Sequence, residues 1–214
     1  REKHTIKELA KITVTAPKMQ KKDQFGLKKR AILFSTDDIL QTAGTTGDIS
    51  RYIATHPSVV ASIGEGFDNT LYIRGGRPTE ILFLVDGIEF ESINHFSKSN
   101  GSGGPIGFIN SDYIKNVTFF AGNMPAQYPS TMSSVIEIDM KQGSLSKYSG
   151  SLGLKLSGGM LSFEGPLAIE KGSFIGAARF VDFSTLKKFA KDKGIPKLGD
   201  LYTKLQFIDN HKFS

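Results

Sequence analysis

The stretch from Asn69 to Phe90 spells out two strands and two turns. Leu71 and Ile73 alternate with Tyr72 and Arg74, the two-residue period of a half-buried strand, and Gly75-Gly76 followed by Pro78 stops it. Ile81 to Val85 is an apolar run of strand length, Asp86-Gly87 supplies two residues tolerant of positive φ, and Ile88 to Phe90 returns, which predicts a tight hairpin. Upstream, a strand is expected from Arg30 to Phe34 and a helix starting at Ser35 or Thr36. Asp37-Asp38 in its first turn oppose the positive helix end, and Gly44 stops it. A second helix holds Asp48, Ile49, Tyr52 and Ile53 and closes at His56-Pro57, after which Val59-Val60 begins an extended segment. Residues 97–107 read as a flexible loop, and Tyr113 to Phe120 and Ser134 to Met140 as strands. The mixture predicts an α+β domain over residues 25–145, preceded by an extended polar tail over residues 1–24.

From Tyr148 the pattern changes. Leu152, Leu154 and Leu156 alternate with Gly153, Lys155 and Ser157, and Leu201, Thr203, Leu205 and Phe207 alternate with Tyr202, Lys204, Gln206 and Ile208. Ser173 to Phe183 is a further strand whose facing is ambiguous, because Arg179 shares parity with Ile175 and Val181. Turns fit at Lys147-Tyr148, from Gly165-Pro166 to Gly172 and at residues 209–212, and Thr185 to Lys197 makes a longer basic loop. Dyad segments of about ten residues suit the wall of a transmembrane β-barrel, since lipid tolerates no unpaired backbone. By alternation alone a soluble sheet extension fits equally well.

Composition narrows the chemistry. Cysteine is absent, which excludes disulfides and thiolate sites. The net charge of +6 is unevenly placed: residues 1–30 hold ten Lys/Arg against three Asp/Glu, so the remainder is near neutral. The basic residues are spread out and lack the interleaved aromatics that single-strand binding would want, so no nucleic-acid partner is expected. No apolar run approaches the ~20 residues of a spanning helix, and the start at Arg1-Glu2-Lys3 is not a signal peptide. His4, His56, His95 and His211 are scattered without metal-ligand spacing, and helix capping and turn formation account for Asp37, Asp38 and Asp86. The glycines at 101, 103 and 104 are not followed by the Gly-Lys-Ser/Thr of a phosphate loop. No catalytic residue, metal or cofactor is expected.

Arg74-Gly75-Gly76 ahead of the Asp86-Gly87 hairpin resembles the plug signature of TonB-dependent outer-membrane receptors. A second block agrees: Ile114 to Val117, Gly122, Pro125 to Tyr128 and Ser133-Ser134-Val135 are similar to another stretch of the same plug. Arg74 to Glu80 looks most like the receptor subgroup common in Bacteroidetes, and Leu161 to Pro166 and Asp200 to Leu205 look like that subgroup's first wall strands. The resemblance implies an α+β plug domain followed by antiparallel strands of an incomplete transmembrane β-barrel, over residues 146–214. A plugged barrel of this class takes about 22 strands of about ten residues, so the chain reads as part of a longer receptor.

Site expectations follow from that family. Ile12, Thr13, Val14, Thr15 and Ala16 resemble the TonB box, whose β-branched residues favour the extended backbone that adds as a strand to TonB. Arg74 is the plug arginine expected to face the barrel, with Arg77 nearby, while a second family arginine maps to Ala121. His95 and Phe96, with Asn123, Met124, Gln127 and Tyr128, are the expected ligand-facing positions. The implied partners are TonB, outer-membrane lipid, an external ligand of unspecified identity and a surface lipoprotein. The rival expectation is a non-importing outer-membrane interaction or secretion component.

Overall fold

Ser35 shows how closely local sequence fixes the first elements. It ends strand β1 (Ile32–Ser35) and caps helix α1 (Thr36–Gln41). Its hydroxyl accepts the Asp38 N–H at 3.2 Å, while the Asp38 carboxylate accepts the Ser35 N–H at 2.8 Å. This reciprocal box satisfies donors that the helix cannot pair internally. The Ser35 N–H first, and second its hydroxyl, which donates to the same carboxylate oxygen at 2.7 Å, hold the Asp38 carboxyl below its ordinary value. Helix α2 (Ile49–Ile53) is capped by Asp48, and both helices turn isoleucines, Ile39, Ile49 and Ile53, into the core. The computed structural model describes residues 31–45, 47–62, 68–97, 101–122, 124–125, 127–128, 131–155, 158–168, 172–182 and 197–207.

The predicted hairpin forms from β4 (Ile81–Val85) and β5 (Ile88–Phe90), with Asp86 at φ +50 and Gly87 at φ +83, the left-handed pair that a two-residue turn needs. Strands β8 (Ile114–Phe120) and β9 (Ser134–Met140) complete a mixed sheet in the order β1-β8-β9-β4-β5, with β4 and β9 parallel. The unbroken apolar run of β4 now has its reason: the strand is covered on both faces. Phe83 joins the main core with Phe119, Ile136 and Ile138, whereas Leu82 and Leu84 pack on the other side with Phe120 and Val135.

Two small antiparallel pairs flank this sheet, β2 (Val59–Ala61) with β3 (Leu71–Ile73) and β6 (Asn94–His95) with β7 (Ile106–Gly107). One expectation is corrected here. The described end of the stretch read as a flexible loop, residues 101–107, is largely buried: Ser102 is fully enclosed, its hydroxyl accepts the Leu71 N–H at 3.0 Å, and its carbonyl accepts the Asn94 amide. Small residues permit backbone-to-backbone packing; a Cβ on Gly101, at φ +100, would stand 2.5 Å from the Pro78 carbonyl carbon.

The last four described strands, β10 (Ser149–Lys155), β11 (Gly158–Pro166), β12 (Gly172–Asp182) and β13 (Lys197–Phe207), form an antiparallel meander in chain order. Gly165 and Pro166, read above as the start of a turn, still pair with Phe174 and Ser173, so β11 runs to their end. The ring of Tyr148 occupies the space beside Gly165 that any Cβ would need. The ambiguity of β12 is resolved: Ile175, Ala177 and Val181 are buried, and Arg179 faces the same way, towards the first domain. The opposite face of the meander is apolar and bare, with Leu154 and Leu201 each 82% exposed and Leu152, Leu161, Phe163, Phe180, Leu205 and Phe207 beside them. Among the described residues no helix is long and apolar enough to cross a membrane.

Candidate functional site

The plug and the meander meet along the inward residues of β11, β12 and β13, and among the described residues three bridges join them. Arg179 and Asp200 stand opposite one another in register. Arg179 Nε donates to Asp200 Oδ2 at 2.7 Å, and Nη2 donates to the same oxygen and, at 2.6 Å, to the Gly107 carbonyl. The other Asp200 oxygen meets His95 Nε2, so one wall carboxylate binds a wall guanidinium and a histidine of the first domain. Both charges are mostly withdrawn from water, at 18% and 15% side-chain exposure, which is tolerable because each is bonded on several sides.

The second bridge uses the hairpin turn. Asp86 accepts the Met140 N–H at 3.0 Å with one oxygen and Lys204 Nζ at 2.7 Å with the other, and Lys204 also donates to the Met140 carbonyl at 3.2 Å. Turn formation is thus only half of what Asp86 does. Its pair with Lys204 is wetter than the first and contributes less. The third bridge is softer: the Tyr113 and Tyr202 rings lie 6.2 Å apart at 20°, and the Asn110 amide donates to Met160 Sδ.

Gly107 links the junction to the interior. Its carbonyl accepts Arg179, while its N–H donates at 2.8 Å to Asp48 Oδ2. Asp48 also accepts the Asn69 amide at 3.0 Å and the Ser50 N–H at 2.8 Å at the start of α2, and Asn69 in turn donates to Asn94 at 3.0 Å. A wall arginine is therefore two bonds from a buried polar hub.

The expected site residues fall in different places. Ile12 to Ala16 and Asn123 lie outside the described residues. Arg74 is exposed at φ +50, its N–H donates to the Ser58 carbonyl at 3.0 Å, and its guanidinium lies over Gly122. Arg77 is exposed and its N–H donates to Glu80 at 3.1 Å. The described bonds of both stay within the first domain, and Ala121 is buried in its core. Met124 and Tyr128 come together against Leu82, Leu84, Phe120 and Val135, with Gln127 exposed beside them. Burial, and then the charge of Glu137, pushes the Tyr128 hydroxyl above its ordinary value. Phe96 is 63% exposed, and His95 is turned to Asp200.

Sequence reading missed Arg179, Asp200 and Lys204 as contacts. A signal existed, since charged residues recur at the inward parity of otherwise apolar strands, but nothing in the sequence pairs Asp200 with His95. Among the described residues no group of three His, Asp or Glu could hold a metal ion.

A core sheet seated by charge pairs on the inner face of a meander whose outer face is bare and apolar defines a plug held in a barrel wall. Residues 29–134 match the TonB-dependent Receptor Plug Domain family. Its fold is similar to the siderophore receptor PirA from Pseudomonas aeruginosa, at 19% identity and a TM-score of 0.56 over 83% of this chain and 32% of that one. The siderophore receptor PirA from Acinetobacter baumannii is similar at 19% identity and a TM-score of 0.59, over 88% and 30%. The chain thus spans about a third of the length of these receptors. No curated protein sequence matches it.

Proposed function

We propose that the chain is the occluding plug and first wall strands of an energy-coupled importer of the outer membrane. The observation that carries this reading is the contrast across the meander, whose inner face mixes Arg179, Asp200 and Lys204 with small and apolar residues packed on the plug while its outer face is bare leucine and phenylalanine, an arrangement suited to a lipid-covered outer face. Residues 1–24 form the periplasmic tail, 25–145 the plug and 146–214 the opening wall strands. Ile12 to Ala16 pair with TonB by strand addition, and the pull rearranges the plug to admit an external ligand. Arg74 and Arg77 face the remaining wall, and His95, Phe96, Asn123, Met124, Gln127 and Tyr128 lie towards the ligand. No bond is made or broken in this role, and a surface lipoprotein is the expected accessory, tested by co-purification.

The like-folded receptors are siderophore receptors, so ferric siderophores are the first ligands to test. Cells carrying the full-length receptor should accumulate one of a siderophore panel. Val14→Pro, which removes a backbone donor from the paired strand, should abolish uptake while leaving surface binding intact. Uptake that survives both Ile12→Pro and Val14→Pro would sink the coupling mechanism.

A further inference from the structure

Among the described residues three that are not glycine carry a positive φ: Arg74, Asp86 and Phe96. Arg74 and Asp86 each precede a glycine in a tight turn, and aspartate tolerates that conformation. Phe96, at φ +55, precedes Ser97, and a bulky side chain in the left-handed region is strained. Burial does not compensate it, because Phe96 is 63% exposed and its described ring contact is with His95, at 6.1 Å. The strand that leads into it is short, β6 pairing only Asn94 with Gly107 and His95 with Ile106. What fixes the backbone is contact from two directions. Gly104, its carbonyl held by the Asn69 N–H at 2.8 Å, lies so close to the His95 carbonyl that a Cβ there would collide with it, and that Cβ would stand 3.3 Å from Ser97 N. From the other direction Asp200 of the wall holds the His95 ring through Nε2, and Phe108 meets the same ring edge-on at 5.9 Å. The chain entering Phe96 is thus gripped by plug and wall together.

We propose that Phe96 is a spring cocked by the plug–wall junction, held left-handed while Asp200 grips His95 and relaxing to an ordinary conformation when plug and wall part. Strain of this kind persists only where the surroundings over-determine it. The wall's grip on His95 supplies the constraint that so short a ribbon cannot supply alone. Because the strain exists only in the seated arrangement, its relief on parting offsets part of the loss of the Asp200 bonds, and the plug is poised for release. The device rests on the plug-and-wall reading above and adds to it a residue that sets how readily the plug lets go.

The test labels Ala177→Cys with a maleimide in the full-length receptor, otherwise free of cysteine, in lipid nanodiscs. Ala177 is 8% exposed and packs in the core shared with the plug, so labelling proceeds through the parted state and its rate follows the parted fraction. Phe96→Gly and Phe96→Ala both remove the ring, but only glycine takes a positive φ freely. The alanine variant should label about fivefold faster than the glycine variant, the weight of one left-handed alanine. Phe96→Asn, which also accepts positive φ, should side with glycine, and it decides where the glycine variant fails to fold. With His95→Ala added the wall's grip is gone, and the glycine and alanine variants should label alike. Equal rates with His95 in place overturn the spring, and so does a gap that survives His95→Ala, which would put the strain within the plug alone. Rapid labelling of Ala177→Cys by itself would overturn the plug-and-wall reading and the spring with it, so the two failures are told apart.

Discussion

The plug and the meander obey the same two-residue period with opposite outcomes. In β3 the leucine and isoleucine point inward and Tyr72 outward, whereas in β13 Leu201, Leu205 and Phe207 point outward and Asp200, Tyr202 and Lys204 inward. Alternation therefore reports that a strand has two unlike sides and is silent about which side meets water. The second strand type acquires its meaning only from what it packs against: a folded domain that needs polar anchors on one side, and hydrocarbon on the other.

The largest expected effect belongs to the plug core. Phe83 is fully buried, so Phe83→Ala should cost about 3–5 kcal/mol of plug stability. It would be read as protease cleavage of the plug at lower denaturant in the full-length receptor. Leu154→Ala, at a position 82% exposed, should leave that reading unchanged. A smaller effect separates the two sides of β13. Leu201→Arg should destabilise the inserted barrel by about 2–4 kcal/mol if the residue sits near the bilayer midplane, while Gln206→Arg on the inward side should be close to neutral. Heat-modifiable gel migration of the barrel reports both, and equal losses would break the contrast. The smallest lies at the junction: Asp200→Ala strands Arg179 and should loosen the plug by about 1–2 kcal/mol, less than a fully dry pair because both groups keep some solvent. Plug accessibility to protease at fixed urea measures it, and unchanged accessibility would show that the wall carboxylate does not anchor the plug.

Much of this fold was legible because particular residues tolerate few alternatives. Asp86-Gly87 could only be a turn, since both take positive φ, and Ser35 with Asp38 could only begin a helix. The parity of Leu201, Leu205 and Phe207 showed a one-sided strand, although the resemblance to a receptor family, not the parity, selected lipid over a soluble core. What stayed hidden depends on contacts remote in sequence. His95 and Asp200 are 105 residues apart, and Gly107 becomes an anchor only because Arg179 reaches its carbonyl. The stretch of residues 101–107 misled for a related reason: glycine and serine suit a mobile loop and a tightly packed one alike, and Leu71 and Asn94 decide between them.

Strand β1 is the outermost strand of its sheet and is joined to β8 through four register pairs. The strands that carry the core, β8, β9 and β4, knit together without it. A pull from the front of the chain would therefore load this edge seam before the central strands. Under such a pull the seam would act as a tear strip, coming away while the body of the cork stays riveted to the cylinder through Arg179 and Lys204.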